Sequence, residues 1–180
     1  MYKKLMLIII LSIELILIII LSSGLIAYFQ NFYNKKLMEA IGNNNIKQVS
    51  SILEKQKANI NYISESEDEY YRGMTPLTLA SSYGGNLEMV KLLVENGADI
   101  NAKNHYSKTA LMIASEYNDI ETVKYLVENG ADVNAKNEDG KTAIDFIGNY
   151  FSQIFIGDNS RSQNKIEEEI RKVLLEAGAK

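Results

Sequence analysis

With 180 residues, 46% of them hydrophobic, the chain has room for one medium domain and a leader, and none for a second, enzymatic domain. Its net charge is −4, and −5 (17 basic against 22 acidic residues) once Lys3, Lys4 and Glu14 of the leader are set aside, which argues against nucleic acid as a partner. The absence of cysteine excludes disulfides and thiolate metal sites, and a single histidine excludes a histidine-based metal cluster.

The chain begins with Met1-Tyr2-Lys3-Lys4 and an apolar run from Leu5 to Ala27, interrupted only by Ser12, Glu14, Ser22, Ser23 and Gly24 and followed by Tyr28 and Phe29. At about 1.5 Å per residue a helix of this length spans the roughly 30 Å hydrocarbon core of a bilayer. The basic start is expected to stay cytoplasmic and the aromatic pair to sit at the far interface, which places the rest of the chain outside the cytoplasm. Two alternatives stay open. Ser22-Ser23-Gly24, or less well Ala27, offers a signal-peptide cleavage site, giving a secreted or periplasmic product; and Lys35 and Lys36 beyond the run favour the opposite topology. Glu14 costs about 3 kcal/mol near mid-membrane and reads as a tolerated residue that tilts or snorkels rather than a pairing or transport site. Residues 1–30 are therefore expected to be a signal peptide or transmembrane signal-anchor helix, and 31–180 a separate domain.

That domain opens with Leu37, Ala40 and Ile41, a polar break at Gly42-Asn43-Asn44-Asn45, then Ile46, Val49, Ile52 and Leu53, closing on Ala58-Asn59-Ile60-Asn61. The three-to-four spacing predicts two short helices joined by a turn. From Asn61 to Thr75 the chain takes 14 residues where the corresponding later intervals take 8, and the extra piece, with Glu65, Glu67, Asp68, Glu69, Tyr70 and Tyr71, reads as an acidic, tyrosine-flanked loop.

Thr75 is placed to cap a helix that Pro76 begins and that runs to about Tyr83. Gly84-Gly85-Asn86 breaks it, and Leu87, Val90, Leu93 and Val94 predict a second helix ended by Gly97. The pattern then returns. Asn96-Gly97-Ala98-Asp99-Ile100-Asn101-Ala102-Lys103-Asn104 recurs 33 positions later as Asn129-Gly130-Ala131-Asp132-Val133-Asn134-Ala135-Lys136-Asn137. Thr75-Pro76-Leu77 aligns with Thr109-Ala110-Leu111 and Thr142-Ala143-Ile144, and Leu87-Glu88-Met89-Val90-Lys91 with Ile120-Glu121-Thr122-Val123-Lys124. A period of this size marks stacked repeats that bury their apolar faces only against neighbours.

In the last copy Thr142 and Asp145 read as a capping-box start. Thr142 to Gly178 is 36 residues against 21 for Thr109 to Gly130, and Phe146, Ile147, Tyr150, Phe151, Ile154 and Phe155 predict a lengthened apolar helix that caps the stack or holds a partner. Glu167-Glu168-Glu169 reads as the solvated start of a final helix.

These blocks resemble the ankyrin-repeat family, in the bacterial form that carries an N-terminal signal or anchor segment. The resemblance covers roughly residues 36 to 180, with repeats at about 36–62, 72–104, 105–137 and 138–180, and departs from the family where its usual histidine after T-P-L is replaced by Thr78, Met112 and Asp145. It implies an all-α ankyrin-repeat solenoid of about four helix-turn-helix repeats with β-hairpin-like tips, preceded by one N-terminal apolar helix. It further implies a concave binding surface made of tips and inner helices. On that surface Tyr83, Tyr117 and Tyr150 recur at one position, and Tyr71, Arg72, Met74, His105, Tyr106 and Lys108 occupy tips; these nine residues are the candidate partner-binding set. No nucleophile, base or metal constellation accompanies them, so the expected function is a non-catalytic protein-interaction scaffold, anchored or exported, with no cofactor and no small-molecule substrate. The alternative is an inhibitor or immunity partner of a secreted toxin or hydrolase.

Overall fold

The computed structural model describes residues 2–66, 71–82, 86–149 and 160–180, with side chains from Ser22 onward except those of 160–163. The elements are α1 (Tyr2–Gly42), α2 (Ile46–Glu54), α3 (Pro76–Ser81), α4 (Leu87–Glu95), α5 (Ala110–Glu116), α6 (Ile120–Glu128), a one-turn 3-10 helix (Ala143–Phe146) and α7 (Ser160–Glu176). No strand occurs among the described residues.

The helices form pairs because each has a start signal, a stop signal and one apolar face. Thr75 Oγ1 accepts from Thr78 N at 3.2 Å, and Thr109 Oγ1 from Met112 N at 3.4 Å. Asn45, Asn86 and Asp119 cap α2, α4 and α6 in the same way, each side chain accepting from the amide three residues on. Gly97, Gly130 and Gly178 follow the second helix of three pairs with φ between +91° and +93°, the left-handed conformation that glycine adopts without a Cβ penalty. In the first pair Gln56 carries a φ of +48° at the equivalent turn. Gln56→Gly is therefore expected to raise stability by up to about 1 kcal/mol, read as a higher urea midpoint with an unchanged slope.

The first helices (the C-terminal part of α1, then α3, α5 and the 3-10 turn) contact one another in sequence, as do the second helices α2, α4, α6 and α7. Leu37, Ile41, Leu77, Leu79, Leu111 and Met112 from the first row, and Val49, Met89, Leu93, Leu126, Ile170 and Leu174 from the second, are all buried in one continuous core. None of the short helices could bury its apolar face alone, so the stack is the unit of stability.

A polar ladder runs along the edge of this core. Asn34 Oδ1 accepts from Asn59 N (2.8 Å), Asn61 Oδ1 from Asp99 N (2.8 Å), Asn101 Oδ1 from Asp132 N (2.8 Å) and Asn134 Oδ1 from Lys180 N (3.0 Å). Within the same turns Asp99 and Asp132 carboxylates accept from the amides of Asn101 and Asn134. The repeated G-A-D-x-N block is thus the clamp between neighbouring repeats as well as the end of each helix pair.

The structure bears on four of these expectations. The boundary at residue 30 falls inside α1, which continues for 41 residues without a break from the leader into the first repeat. Among the residues whose side chains are described, no helix is long and apolar enough to cross a membrane, and of the run Leu5–Ala27 only the part from Ser22 belongs to them. The lengthened helix expected after Thr142 begins instead as a single 3-10 turn that ends at Phe146: Ile147 leaves the helical region, and Gly148 follows at φ +74° and donates its N–H to Ser115 O at 3.3 Å; Tyr150, Phe151, Ile154 and Phe155 lie outside the described residues. Glu167–Glu169 lie in the middle of α7, not at its start. Glu169 pairs with Lys124 of α6 at 2.8 Å, and Glu167 accepts from Asn118 Nδ2 at 3.4 Å.

Candidate protein-binding surface

Each repeat projects a tip between its predecessor's second helix and its own first helix. In the first tip Ser64 N donates to Met74 O (2.9 Å) and Gly73 N to Ser64 O (2.7 Å), a hairpin-like pairing across the acidic insertion. In the next two an asparagine folds the tip. Asn104 Oδ1 accepts from Tyr106 N and Lys108 N, both at 2.9 Å, and Asn137 Oδ1 from Asp139 N (3.0 Å) and Lys141 N (2.9 Å). This side-chain mimicry of a backbone turn is what asparagine does well.

The first tip leans on α1 and leaves a groove of about 480 Å³ lined by Lys35, Met38 and Glu39 of the helix and Tyr62, Ser64, Glu65, Ser66 and Tyr71 of the loop. Gly42 makes the approach possible: a Cβ there would lie 2.5 Å from the Tyr71 hydroxyl. The groove combines two tyrosines, a buried methionine and charges of both signs at its rim, the mixture that suits a protein surface rather than a small apolar ligand. Beside it, His105 N donates to Gly73 O (2.8 Å), joining the first tip to the second, where the exposed His105 and Tyr106 rings meet edge to face at 5.2 Å. No cluster of three or more histidine, aspartate or glutamate side chains suited to a metal ion occurs among the described residues.

Helix pairs stacked in two rows, with capped first helices, glycine stops and asparagine-folded tips, accord with the family model for ankyrin repeats, three copies of which match residues 28–144, more than half of the chain. The chain belongs to the ankyrin-repeat family. It is 40% identical over 62 residues to an ankyrin repeat protein of Acanthamoeba polyphaga mimivirus, an alignment covering 34% of this chain and 37% of the viral one. It is also 51% identical over 43 residues to an E3 ubiquitin-protein ligase of Arabidopsis thaliana, covering 24% of this chain and 8% of the ligase. The match thus spans well under half the length of either relative.

Within this ankyrin stack the candidate residues separate by environment. Arg72, His105 and Tyr106 are exposed on the tips, and Tyr71 is half-buried against α1 in the groove wall. Lys108 is half-buried, paired with Glu116 at 2.7 Å and lying 4.5 Å above the Phe146 ring, so it ties the second tip to the stack. Tyr117 caps α5 and is half-buried against the core, while Tyr83 and Tyr150 lie outside the described residues, as do Glu67, Asp68, Glu69 and Tyr70 of the acidic loop. Met74 requires a correction. It is 8% exposed, its sulfur accepting from Asn104 Nδ2 at 3.4 Å, so it belongs to the core beneath the tips and not to their surface.

The family's absent histidine has three replacements. Thr78 closes a reciprocal cap with Thr75, accepting from Thr75 N at 2.8 Å; Asp145 accepts from Thr142 N at 2.8 Å; Met112 supplies no polar atom and is buried instead. Lys35, Met38, Glu39, Tyr62, Ser64 and Ser66 escaped the sequence reading, although Lys35, Met38 and Glu39, at three- and four-residue spacing, share one helix face.

Proposed function

We propose that this ankyrin stack is a non-catalytic scaffold that holds a protein partner across its tips and the groove beside α1. Ankyrin repeats are protein–protein interaction modules, and repeat stacks present extended surfaces of this kind. The observation that carries the reading is the continuity of the groove with the second tip. Tyr62 and Tyr71 line the groove, Arg72 stands beside it, and the Gly73–His105 hydrogen bond brings the exposed His105–Tyr106 pair against the same tip. Tyrosine and arginine supply large contact area and directional hydrogen bonds at interface hot spots.

The scaffold is proposed to be held at a membrane by the apolar run Leu5–Ala27, with the repeats outside the cytoplasm. The exposed Tyr28, Phe29 and Phe32 just beyond that run support this, since aromatic side chains concentrate at the membrane–water interface. Because α1 carries on into the first repeat, such an anchor would hold the stack at a fixed height and orientation. An intact mass beginning at Met1 for protein recovered from membranes is the expected result; a mass lacking the first two dozen or so residues would mean secretion.

The binding reading is tested with Tyr71→Ala, Arg72→Ala and Tyr106→Ala combined in the full chain, used as bait against an envelope extract. Affinity for the captured partner is expected to fall at least about tenfold with an unchanged unfolding transition. Full retention of every partner by the folded triple variant would exclude the tips as the docking surface.

A further inference from the structure

On the face of the first repeat formed by α1 and α2 lies a second cavity, of about 320 Å³, whose walls carry Tyr33, Lys36, Gln48, Ser51, Lys55 and Lys57. No carboxylate lines it, in a chain whose net charge is −4. Among the described residues none of its three lysines takes part in an ion pair. Lys57 Nζ donates to the Tyr33 hydroxyl at 2.9 Å. That contact, reinforced by the charges of Lys57, Lys36 and Lys55, holds the Tyr33 hydroxyl below the usual phenol range. Three exposed lysines thus rim one hollow, floored in part by Ile52, in which Ser51 and Gln48 add neutral hydrogen-bonding groups; Lys36 Nζ now rests 5.3 Å from the Phe32 ring and Lys57 Nζ 4.7 Å from the Tyr33 ring, contacts that an anion would compete for. An oxyanion with several acceptor atoms satisfies that arrangement, and a phosphate ester is the common one.

The position of the cavity selects the source. Tyr33 and Lys36 lie about 9–14 Å along the helix axis beyond Ala27, where the apolar run ends. Lys57 is held beside the same stretch of α1, its Nζ donating to the Tyr33 hydroxyl and its carbonyl oxygen accepting at 3.2 Å from Gln30 Nε2, which also donates to Asn34 Oδ1. The headgroup layer next to a bilayer's hydrocarbon core is about 5–7 Å thick, so the backbone of Tyr33 and Lys36 stands just outside it and the long lysine side chains reach back into it. The exposed Tyr28, Phe29 and Phe32 side chains lie between Ala27 and the cavity, within that layer.

We propose that the cavity between α1 and α2 binds the phosphate of an anionic phospholipid headgroup in the leaflet from which α1 emerges. The proposal rests on the membrane-anchored reading of the leader. It adds a second, electrostatic attachment that fixes the rotation of the stack about α1 and turns the tip groove in one direction. Basic pockets on the cytoplasmic side of membrane spans hold anionic headgroups in this way, and the same attraction acts at any leaflet rich in them.

The test uses the full chain, extracted into detergent micelles and freed of lipid, with native mass spectrometry counting bound molecules as phosphatidylglycerol, phosphatidylcholine or inorganic phosphate is added. Wild-type chain is expected to retain one phosphatidylglycerol about ten- to a hundredfold more tightly than the Lys36→Gln/Lys55→Gln/Lys57→Gln variant, and the corresponding triple arginine variant to keep the site. Equal retention by the glutamine variant, or no preference of the wild type for phosphatidylglycerol over phosphatidylcholine, would overturn the proposal. Inorganic phosphate binding as tightly as the lipid would overturn the headgroup assignment and leave a soluble-anion site. Alkaline extraction of wild-type membranes separates the two readings: a chain released from the membrane removes the anchor itself, whereas a chain that stays embedded while the pocket fails the lipid titration removes only the pocket.

Discussion

Leu174→Ala is expected to lower the stability of the stack by about 2–5 kcal/mol, while Leu175→Ala one position away changes it by no more than about 0.5 kcal/mol. The two residues carry the same side chain on the same helix and differ only in burial, 0% exposed for Leu174 against 54% for Leu175. Leu174 and Ile170, four residues apart, are the buried side chains with which α7 covers the open end of the core behind α6. Removing the isobutyl group leaves a cavity that its neighbours refill only in part. Domains of this size are stable by only about 5–15 kcal/mol, so the loss is a large share of the total. Urea unfolding followed by tyrosine fluorescence reads both values. Similar effects for the two variants would mean that α7 does not seal the end of the stack.

Gly73→Ala is expected to cost about 2–4 kcal/mol and to loosen the first tip from the second. The residue sits at φ +67°, where an added side chain costs about 1 kcal/mol or more, and a Cβ there would overlap Cβ of His105. Relief requires the two tips to part, which breaks the His105 N to Gly73 O hydrogen bond and widens the surface that Tyr71, Arg72 and Tyr106 share. Partner affinity is therefore expected to fall together with stability. An amide-exchange measurement separates the two, because protection of the His105 amide is expected to drop before that of the buried α5 amides. Unchanged His105 protection would remove the tip-to-tip contact.

The internal period made the repeat legible because every element of it is local. Thr75 and Thr109 as caps, Pro76 as first helical residue, Gly97 and Gly130 as stops, and the apolar faces through Leu93 and Leu126 all stand as the spacing predicts. The features that escaped are set by residues far apart in the chain. Met74 reads as an exposed tip residue, yet its sulfur meets Asn104, 30 positions on. The final glutamates read as a helix start because the residues before them form a polar run with no apolar period, yet α7 is already helical at Ser160, and the partner of Glu169 is 45 positions away.

The continuity of α1 was hidden for another reason. Gln30, Asn31 and Asn34 follow the apolar run like a linker, but Asn34 is buried, accepting from Gln30 Nε2 (3.2 Å) inside the helix and from Asn59 N (2.8 Å) outside it. Asn34 thus belongs to the inter-repeat ladder. The groove was illegible for the same reason as Met74, since it forms only when the acidic loop meets Lys35, Met38 and Glu39 of a helix some thirty residues earlier. Tip residues were easier to name than groove residues because tips follow from turn chemistry alone.

The scaffold reading is tested most directly by placing a photo-cross-linking residue at Glu65 in the groove, at Tyr106 on the second tip, or at Glu95 at the end of α4, and irradiating cells that carry the full chain. Glu65 and Tyr106 are expected to give one cross-linked species of the same mass, and Glu95 none. Cross-linking from Glu95 alone, with both tip-side positions silent, would contradict a partner held across the tips.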